Sequence, residues 1–208
     1  MEDILRSAAS STPDPDMAFK NLLTFFEKNP GDIELLKPHL HTIAILFSHS
    51  QFLANFSISN PKELITALGE LDSRPDSERL SSDLKKSLDG NTDSLTVVRL
   101  FKKKELLRIT LLDILKKADL TEIMQELSIL SDIIVDESLA MLRKSLSETY
   151  GDPEDDAFSV IAVGKLGSEE LNFSSDIDVM LVYGKEGETS GIKKPRGIRS
   201  NRISNHEY

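Results

Sequence analysis

Apolar residues recur at intervals of three and four from Phe19 to Met141, and beyond residue 150 that spacing stops. A 3.6-residue period builds helix faces, whereas short unbroken apolar runs build strands, so the switch separates a helical part from a later sheet part. In the first part, Phe19, Leu22, Leu23 and Phe26 predict a helix over 17–28, ended by Asn29-Pro30-Gly31-Asp32. A second helix spans 33–48, with a break near Lys37 because Pro38 crowds the residue before it. Asn60-Pro61-Lys62-Glu63 reads as a helix start, with Asn60 capping, Pro61 at the first helical position and Glu63 reaching back to the cap amide. That helix runs to Leu68, and 73–93 reads as a polar loop holding a short helix over 81–88. Residues 94–117 predict a long helix with the stripe Leu95, Val98, Leu106, Ile109 and Leu112. Another, capped by Thr121, continues to Glu148 on the stripe Ile123, Leu127, Leu130, Ile134, Ser138 and Met141. A tight turn at Ala118-Asp119-Leu120 makes the pair an antiparallel helical hairpin.

After an acidic linker, Gly151-Asp152-Pro153-Glu154-Asp155-Asp156, the run 158–163 is short, apolar and β-branched and predicts a buried strand. Residues 164–168 form a turn, 169–172 fit one helical turn, and 177–183 predict a second apolar strand. From 184 to 202 the chain is polar, with recurring Gly, Lys and Arg, and no element is evident. The fold class expected is therefore α+β, predominantly α: a helical domain over 1–150, then an incomplete sheet over 151–208. An incomplete sheet leaves an unpaired edge, so poor solubility of the C-terminal part is expected.

Composition narrows the chemistry. With 25 basic and 35 acidic side chains the formal net charge is -10, which disfavours nucleic acid or an anionic membrane as the partner. There is no cysteine, which removes thiolate metal sites and fits a reducing cytoplasm. No apolar run is long enough to span a membrane, and residues 1–11 lack a signal peptide's apolar core.

The segment that carries chemistry runs from Val163 to Asp178. A strand leads into a glycine turn, and amides at a helix start attract phosphate, which assigns Gly167 and Ser168 to phosphate binding with Lys165 beside them. The next strand opens on Asp176 and Asp178, whose two-residue spacing puts both carboxylates on one face. Paired carboxylates repel each other and attract a cation, and hard oxygen donors suit Mg²⁺. Metal beside a phosphate cradle is the combination that phosphoryl and nucleotidyl transfer requires, so Asp176 and Asp178 are the expected catalytic and metal-binding residues.

Gly-Ser followed by Asp-x-Asp between two strands resembles the signature of the DNA polymerase β-type nucleotidyltransferases. The longer run Gly164-Lys165-Leu166-Gly167-Ser168-x-Glu170-Leu171-Asn172-Phe173-Ser174-Ser175-Asp176-Ile177-Asp178 is similar to that of the glutamine synthetase adenylyltransferase/adenylyl-removing family, which has Gly-Gly where this chain has Gly167-Ser168. The basic stretch 100–109, the segments 118–123 and 126–128, and Ser48-His49-Ser50-Gln51-Phe52-Leu53-Ala54 also fit, so the resemblance covers 47–183. It implies a Mg²⁺-dependent enzyme acting on glutamine synthetase with ATP, ADP and phosphate, and answering to a nitrogen-signalling regulator. Members carry two such halves: one removes AMP from a glutamine synthetase tyrosine by phosphorolysis, giving ADP, and the other adds AMP from ATP. Asn172-Phe173 resembles the removing half. The family's third carboxylate lies on a later strand, whereas after Asp178 this chain has only Glu186, Glu188 and Glu207, so a truncated, inactive site is expected. The alternative is an inert helical module that binds glutamine synthetase or the regulator. Arg99, Lys102, Lys103, Lys104 and Arg108 read either as a solvated helix face or as a contact for phosphate or an acidic partner, and the basic stretch 193–202 as a substrate contact or a loose tail. His39, His41 and His49 read as surface or core-edge residues, since His39 and His41 diverge on a helix.

Overall fold

The computed structural model describes residues 1–91, 93–154, 157–193 and 199–208. Asp155 and Asp156 of the expected linker, and 194–198 of the expected basic tail, lie outside the described residues. The chain divides into two compact units, Met1–Leu127 and Ser128–Tyr208.

The first unit is helical throughout. In chain order it holds α1 (Glu2–Ala9), α2 (Pro15–Lys28), α3 (Ile33–Leu36), α4 (Leu40–His49), α5 (Gln51–Ser59), α6 (Pro61–Gly69), α7 (Ser77–Leu88), α8 (Ser94–Ile114) and the start of α9 (Leu120–Tyr150). A 3₁₀ turn over Lys37–His39 makes the break expected at Pro38. The core gathers Leu5 and Ala9 of α1, Leu22, Phe25 and Phe26 of α2, Ile43 and Phe47 of α4, Leu53 of α5, Leu64 of α6, and Leu107 and Leu111 of α8. Phe25 packs edge-on to Phe26 with ring centres 5.0 Å apart and lies 6.0 Å from the Phe47 ring, so three aromatic rings anchor α2 on α4. The sequence pattern gave no sign of α1, whose buried face is only Leu5 and Ala9.

Three helix ends differ from the sequence reading in their chemistry. Asn60 does precede α6, but its side chain donates backward to the Phe56 carbonyl (2.9 Å) and its own N–H closes α5, leaving no cap amide for Glu63. The short helix in the polar segment starts at Ser77, because Asp76 accepts from the Arg79 amide at 2.8 Å. α9 is capped by Asp119 rather than Thr121. Asp119 Oδ1 accepts from the Glu122 amide (2.9 Å) while Glu122 Oε2 accepts from the Asp119 amide (2.8 Å), a reciprocal box that satisfies two otherwise orphaned donors. Replacing Asp119 by alanine is expected to lower the stability of the first unit by about 1 kcal/mol, read as a shift in the urea midpoint at unchanged slope.

The stripe expected on α8 is only partly right. Leu95 is 60% exposed, whereas Phe101, Glu105, Arg108 and Leu112 are buried together with Leu107, Ile109 and Leu111. Residues 101, 105, 108 and 112 follow one another by fours and threes, so a glutamate and an arginine occupy the middle of a core-facing stripe. Arg108 Nε donates to Glu105 Oε2 at 2.7 Å, and Nη2 donates to Glu126 Oε2 of α9 at 2.6 Å. Arg108 therefore leaves the basic surface to which its neighbours Lys102, Lys103 and Lys104 had assigned it. On α9 the buried line in this unit is Ile123 and Leu127, as expected.

The second unit holds the remainder of α9 and an antiparallel ribbon. Strand β1 (Phe158–Val163) leads through the single helical turn α10 (Gly164–Gly167) to β2 (Asp178–Tyr183). The register runs from Phe158 opposite Tyr183 to Val163 opposite Asp178. The strands lie where the apolar runs predicted, but neither is buried: Leu181 is 64% exposed, and Met180 and Val182 are exposed as well. Within the described residues each strand has a single partner, so one edge of each strand stays unpaired. Along α9 in this unit Leu130, Ile133 and Glu137 are buried, one position off the expected Ile134 and Ser138. The segment after Gly184 is also more ordered than its composition predicted. Strand β3 (Ile192–Lys193) pairs with β4 (Arg199–Ser200), Thr189 is fully buried, and its amide donates to the Ile203 carbonyl at 2.8 Å. Two-residue strands are too short to leave a hydrophobic period in the sequence.

Candidate functional site

The residues singled out by the sequence gather where β1 hands over to β2. Val163 ends β1, and Gly164 turns the chain with φ +58°. α10 then closes in a Schellman arrangement: the Glu169 amide donates to the Leu166 carbonyl (3.1 Å) and the Glu170 amide to the Lys165 carbonyl (2.8 Å), with Glu169 left-handed at φ +58°. The helical turn thus sits over 164–167, not over 169–172, and Ser168 lies at a helix C-terminus instead of an N-terminus. Its N–H donates to the Gly164 carbonyl at 3.2 Å, so the amide assigned to phosphate is engaged inside the turn. Ser168 and Lys165 are exposed, with the Ser168 hydroxyl donating to the Gly164 carbonyl at 3.2 Å. Gly167 has a separate steric duty, because a Cβ there would come within 2.7 Å of the Ala162 carbonyl oxygen. Leu166 and Leu171 of the same segment are both buried.

Between Asn172 and Ser175 the chain is ordered by its own side chains. Asn172 Oδ1 accepts from the Ser174 amide (3.1 Å) and hydroxyl (3.0 Å), while Ser175 Oγ accepts from the Asn172 amide (3.1 Å). This Asx-type turn delivers the chain to Asp176. β2 begins at Asp178, so Asp176 stands just outside the hydrogen-bonded strand. The alternation nevertheless starts earlier than the hydrogen bonds do. Ile177, Val179, Leu181 and Tyr183 all line an apolar groove with Leu139 and Leu142 of α9, and Asp176 and Asp178, on the opposite parity, do not. Both acids are exposed. Asp178 is seated closely: a Cβ built on Gly164 would meet its Oδ2 at 2.8 Å.

Two exposed carboxylates are hard donors with room for water and phosphate oxygens, which suits Mg²⁺ and not a thiophilic metal. Among the described residues no group of three or more His, Asp or Glu side chains is arranged to hold a metal ion. The donor set therefore fits a metal that shares its shell with substrate, not a closed structural site. Sequence reasoning missed the close packing of Gly164 on Asp178, although a glycine at the end of a strand is its only advance sign. No described helix is long and apolar enough to cross a membrane.

Residues 40–204 match the family profile described as glutamate-ammonia ligase adenylyltransferase. The chain is similar to the bifunctional glutamine synthetase adenylyltransferase/adenylyl-removing enzyme of Psychromonas ingrahamii, at 33% identity over 187 residues, which cover 85% of this chain and 19% of the relative. The enzyme of the same name from Nitrosococcus oceani is 30% identical over 180 residues, covering 81% of this chain and 18% of its own length. That of Alteromonas mediterranea is 37% identical over 106 residues, covering 49% of this chain and 11% of its own length. The matches thus span between a tenth and a fifth of these relatives.

Proposed function

The chain belongs to the glutamate-ammonia ligase adenylyltransferase family, and from that membership we propose that its β1–β2 ribbon carries the metal and phosphate site of a nucleotidyltransferase acting on glutamine synthetase. The observation that supports this most is the seat of Asp178: the first residue of β2, opposite Val163, held against the glycine turn that follows β1. On this reading 1–150 form the helical domain and 151–208 the nucleotidyltransferase part. Asp176 and Asp178 hold Mg²⁺, which when bound neutralises charge on the transferring phosphoryl group. The exposed Lys165 ammonium and Ser168 hydroxyl, beside Gly167, hold phosphate oxygens and orient them toward the two acids. The direction we assign is removal: inorganic phosphate attacks the phosphorus of the AMP carried by a glutamine synthetase tyrosine, the bond to the tyrosine oxygen breaks, and the free tyrosine hydroxyl and ADP result. A cytoplasmic setting and control by a nitrogen-signalling protein belong to the same reading.

The test is a chimera in which this chain replaces the matched segment of the Psychromonas ingrahamii enzyme. Phosphate-dependent ADP from adenylylated glutamine synthetase is the expected product. Pyrophosphate release from ATP and unmodified glutamine synthetase that is lost on Asp178→Asn, with no ADP formed, would assign the opposite direction to this chain rather than to the relative's own second half.

A second reading has its own observation. The Ser168 amide is engaged within the turn, and no three-acid group stands ready among the described residues. These favour a helical binding module for glutamine synthetase or its regulator with no turnover by the 208-residue chain itself. Retention of glutamine synthetase by the immobilised chain, without ADP release from it, would support that reading.

A further inference from the structure

Gly164 adopts φ +58°, and the usual account of such a glycine is backbone freedom. That account is insufficient here. Lys116 (φ 54°), Glu169 (φ 58°) and Asn201 (φ 61°) hold the same conformation with full side chains, and Glu169 does so in the same turn. What distinguishes Gly164 is its neighbour. Its missing Cβ would lie 2.8 Å from Asp178 Oδ2 and 3.7 Å from the Asp178 Cβ and Cγ, so it is the carboxylate oxygen that a side chain at 164 would crowd. By contrast, nothing lies within 4 Å of a Cβ at Gly90, which has a similar φ of +70°.

We propose that Gly164 is a positioning residue: the absence of its side chain sets where the Asp178 carboxylate stands, and hence whether that carboxylate can share a divalent cation with Asp176. The inference rests on the metal-site reading of the two acids. Pairing of Val163 with Asp178 fixes the backbone on both sides of the contact, so a side chain at 164 cannot be accommodated by sliding the strands. The carboxylate has to rotate or withdraw. A metal shared between protein and phosphate tolerates little of this, and groups that orient a ligand commonly change metal affinity by about 10-fold or more.

The experiment is titration of the 208-residue chain with Mn²⁺ alone, followed by water-proton relaxation, with thermal unfolding of each metal-free variant as the folding control. Asp178→Asn is expected to abolish the Asp178-dependent binding. Gly164→Asn keeps a residue that tolerates left-handed backbone yet adds a Cβ, and it is expected to weaken Mn²⁺ by about 10-fold. Gly164→Ala, which adds only the methyl, is the second variant and is expected to show the same loss. Gly151→Ala disturbs the same unit more severely, at another left-handed glycine whose Cβ would meet Ser190 Oγ at 2.5 Å and the Gly191 backbone oxygen and nitrogen at 2.6 and 2.7 Å, and where folded it is expected to bind Mn²⁺ normally. Native affinity in folded Gly164→Asn or Gly164→Ala would overturn the inference and leave the acid pair standing. Equal weakening in Gly151→Ala would overturn it too, by tracing the effect to general loosening. Identical binding by the native chain and Asp178→Asn would instead remove the metal-site reading, and this inference with it.

Discussion

Arg108→Ala is expected to destabilise the first unit by about 3–5 kcal/mol, the cost of leaving a buried carboxylate without its counter-charge. Arg108 and Glu105 are each only 1% exposed, and Glu126 is 14% exposed. Removing the guanidinium strands Glu105 in the core, where among the described residues its Oε1 has no hydrogen-bond partner and Lys104 Nζ lies 3.8 Å away. Against a total stability of about 5–15 kcal/mol for a domain, a loss of this size shows as a large shift in the urea midpoint. Lys102→Ala, on the exposed side of the same helix, is expected to change stability by less than about 0.5 kcal/mol. The pH dependence carries a sign. Burial, outweighing the pull of Arg108, pushes the Glu105 carboxyl above its usual range. A carboxyl whose folded value is raised binds more protons when folded, so its contribution to stability declines as pH rises from the ordinary carboxylate value through the raised one. Without Arg108 the main opposition to that push is gone and only the Lys104 ammonium still draws the carboxyl down. The Arg108→Ala penalty is therefore expected to be greatest at neutral pH and to shrink as the solution is acidified toward about pH 4. A midpoint within about 1 kcal/mol of native at neutral pH would contradict the buried-triad account.

The same triad shows where sequence legibility ends. Phe101, Glu105, Arg108 and Leu112 share the spacing of a core stripe, but three lysines at 102–104 make the segment read as basic surface. A glutamate three residues before an arginine on a stripe otherwise apolar is the available signal. Glu126, which completes the triad, lies 18 residues beyond Arg108 and can be matched to it only once α9 is in place. Helix existence was largely legible because the 3.6 period is a property of the local sequence. Caps were less so, because Asn60 serves the helix it ends and Asp119 competes successfully with Thr121 for the start of α9. The exposed ribbon could not be distinguished from a buried one, since an apolar run records what a strand can bury and not which partners it has.

At the site, the two strands and the shared parity of Asp176 and Asp178 were readable, because apolar runs and a two-residue spacing are local facts, although β2 opens at Asp178 and leaves Asp176 outside it. The turn was not. One helical turn placed five residues earlier than expected reverses the polarity of the backbone at Ser168, and the hydrogen bonds that choose between these placements involve the Leu166, Lys165 and Gly164 carbonyls alike. Nothing in side-chain periodicity selects among them.

Asp178→Asn carries the other large expected effect. The substitution preserves shape while removing the charge of a carboxylate that rests against Gly164 at the head of β2. An amide cannot hold a hard divalent cation as a carboxylate does, and loss of one preorganised electrostatic contact at a transferring phosphoryl group costs about 10²–10³ in rate. Thermal stability should change little, because Asp178 is exposed and removing its charge strands no buried partner. The most direct measurement is single-turnover ADP release from adenylylated glutamine synthetase by the chimera, with saturating phosphate and Mg²⁺, with and without Asp178→Asn. The account predicts ADP from the unsubstituted chimera and a rate at least about 10²-fold lower with asparagine at an unchanged unfolding temperature. Equal rates would contradict the assignment of Asp178 to the metal and with it the central claim.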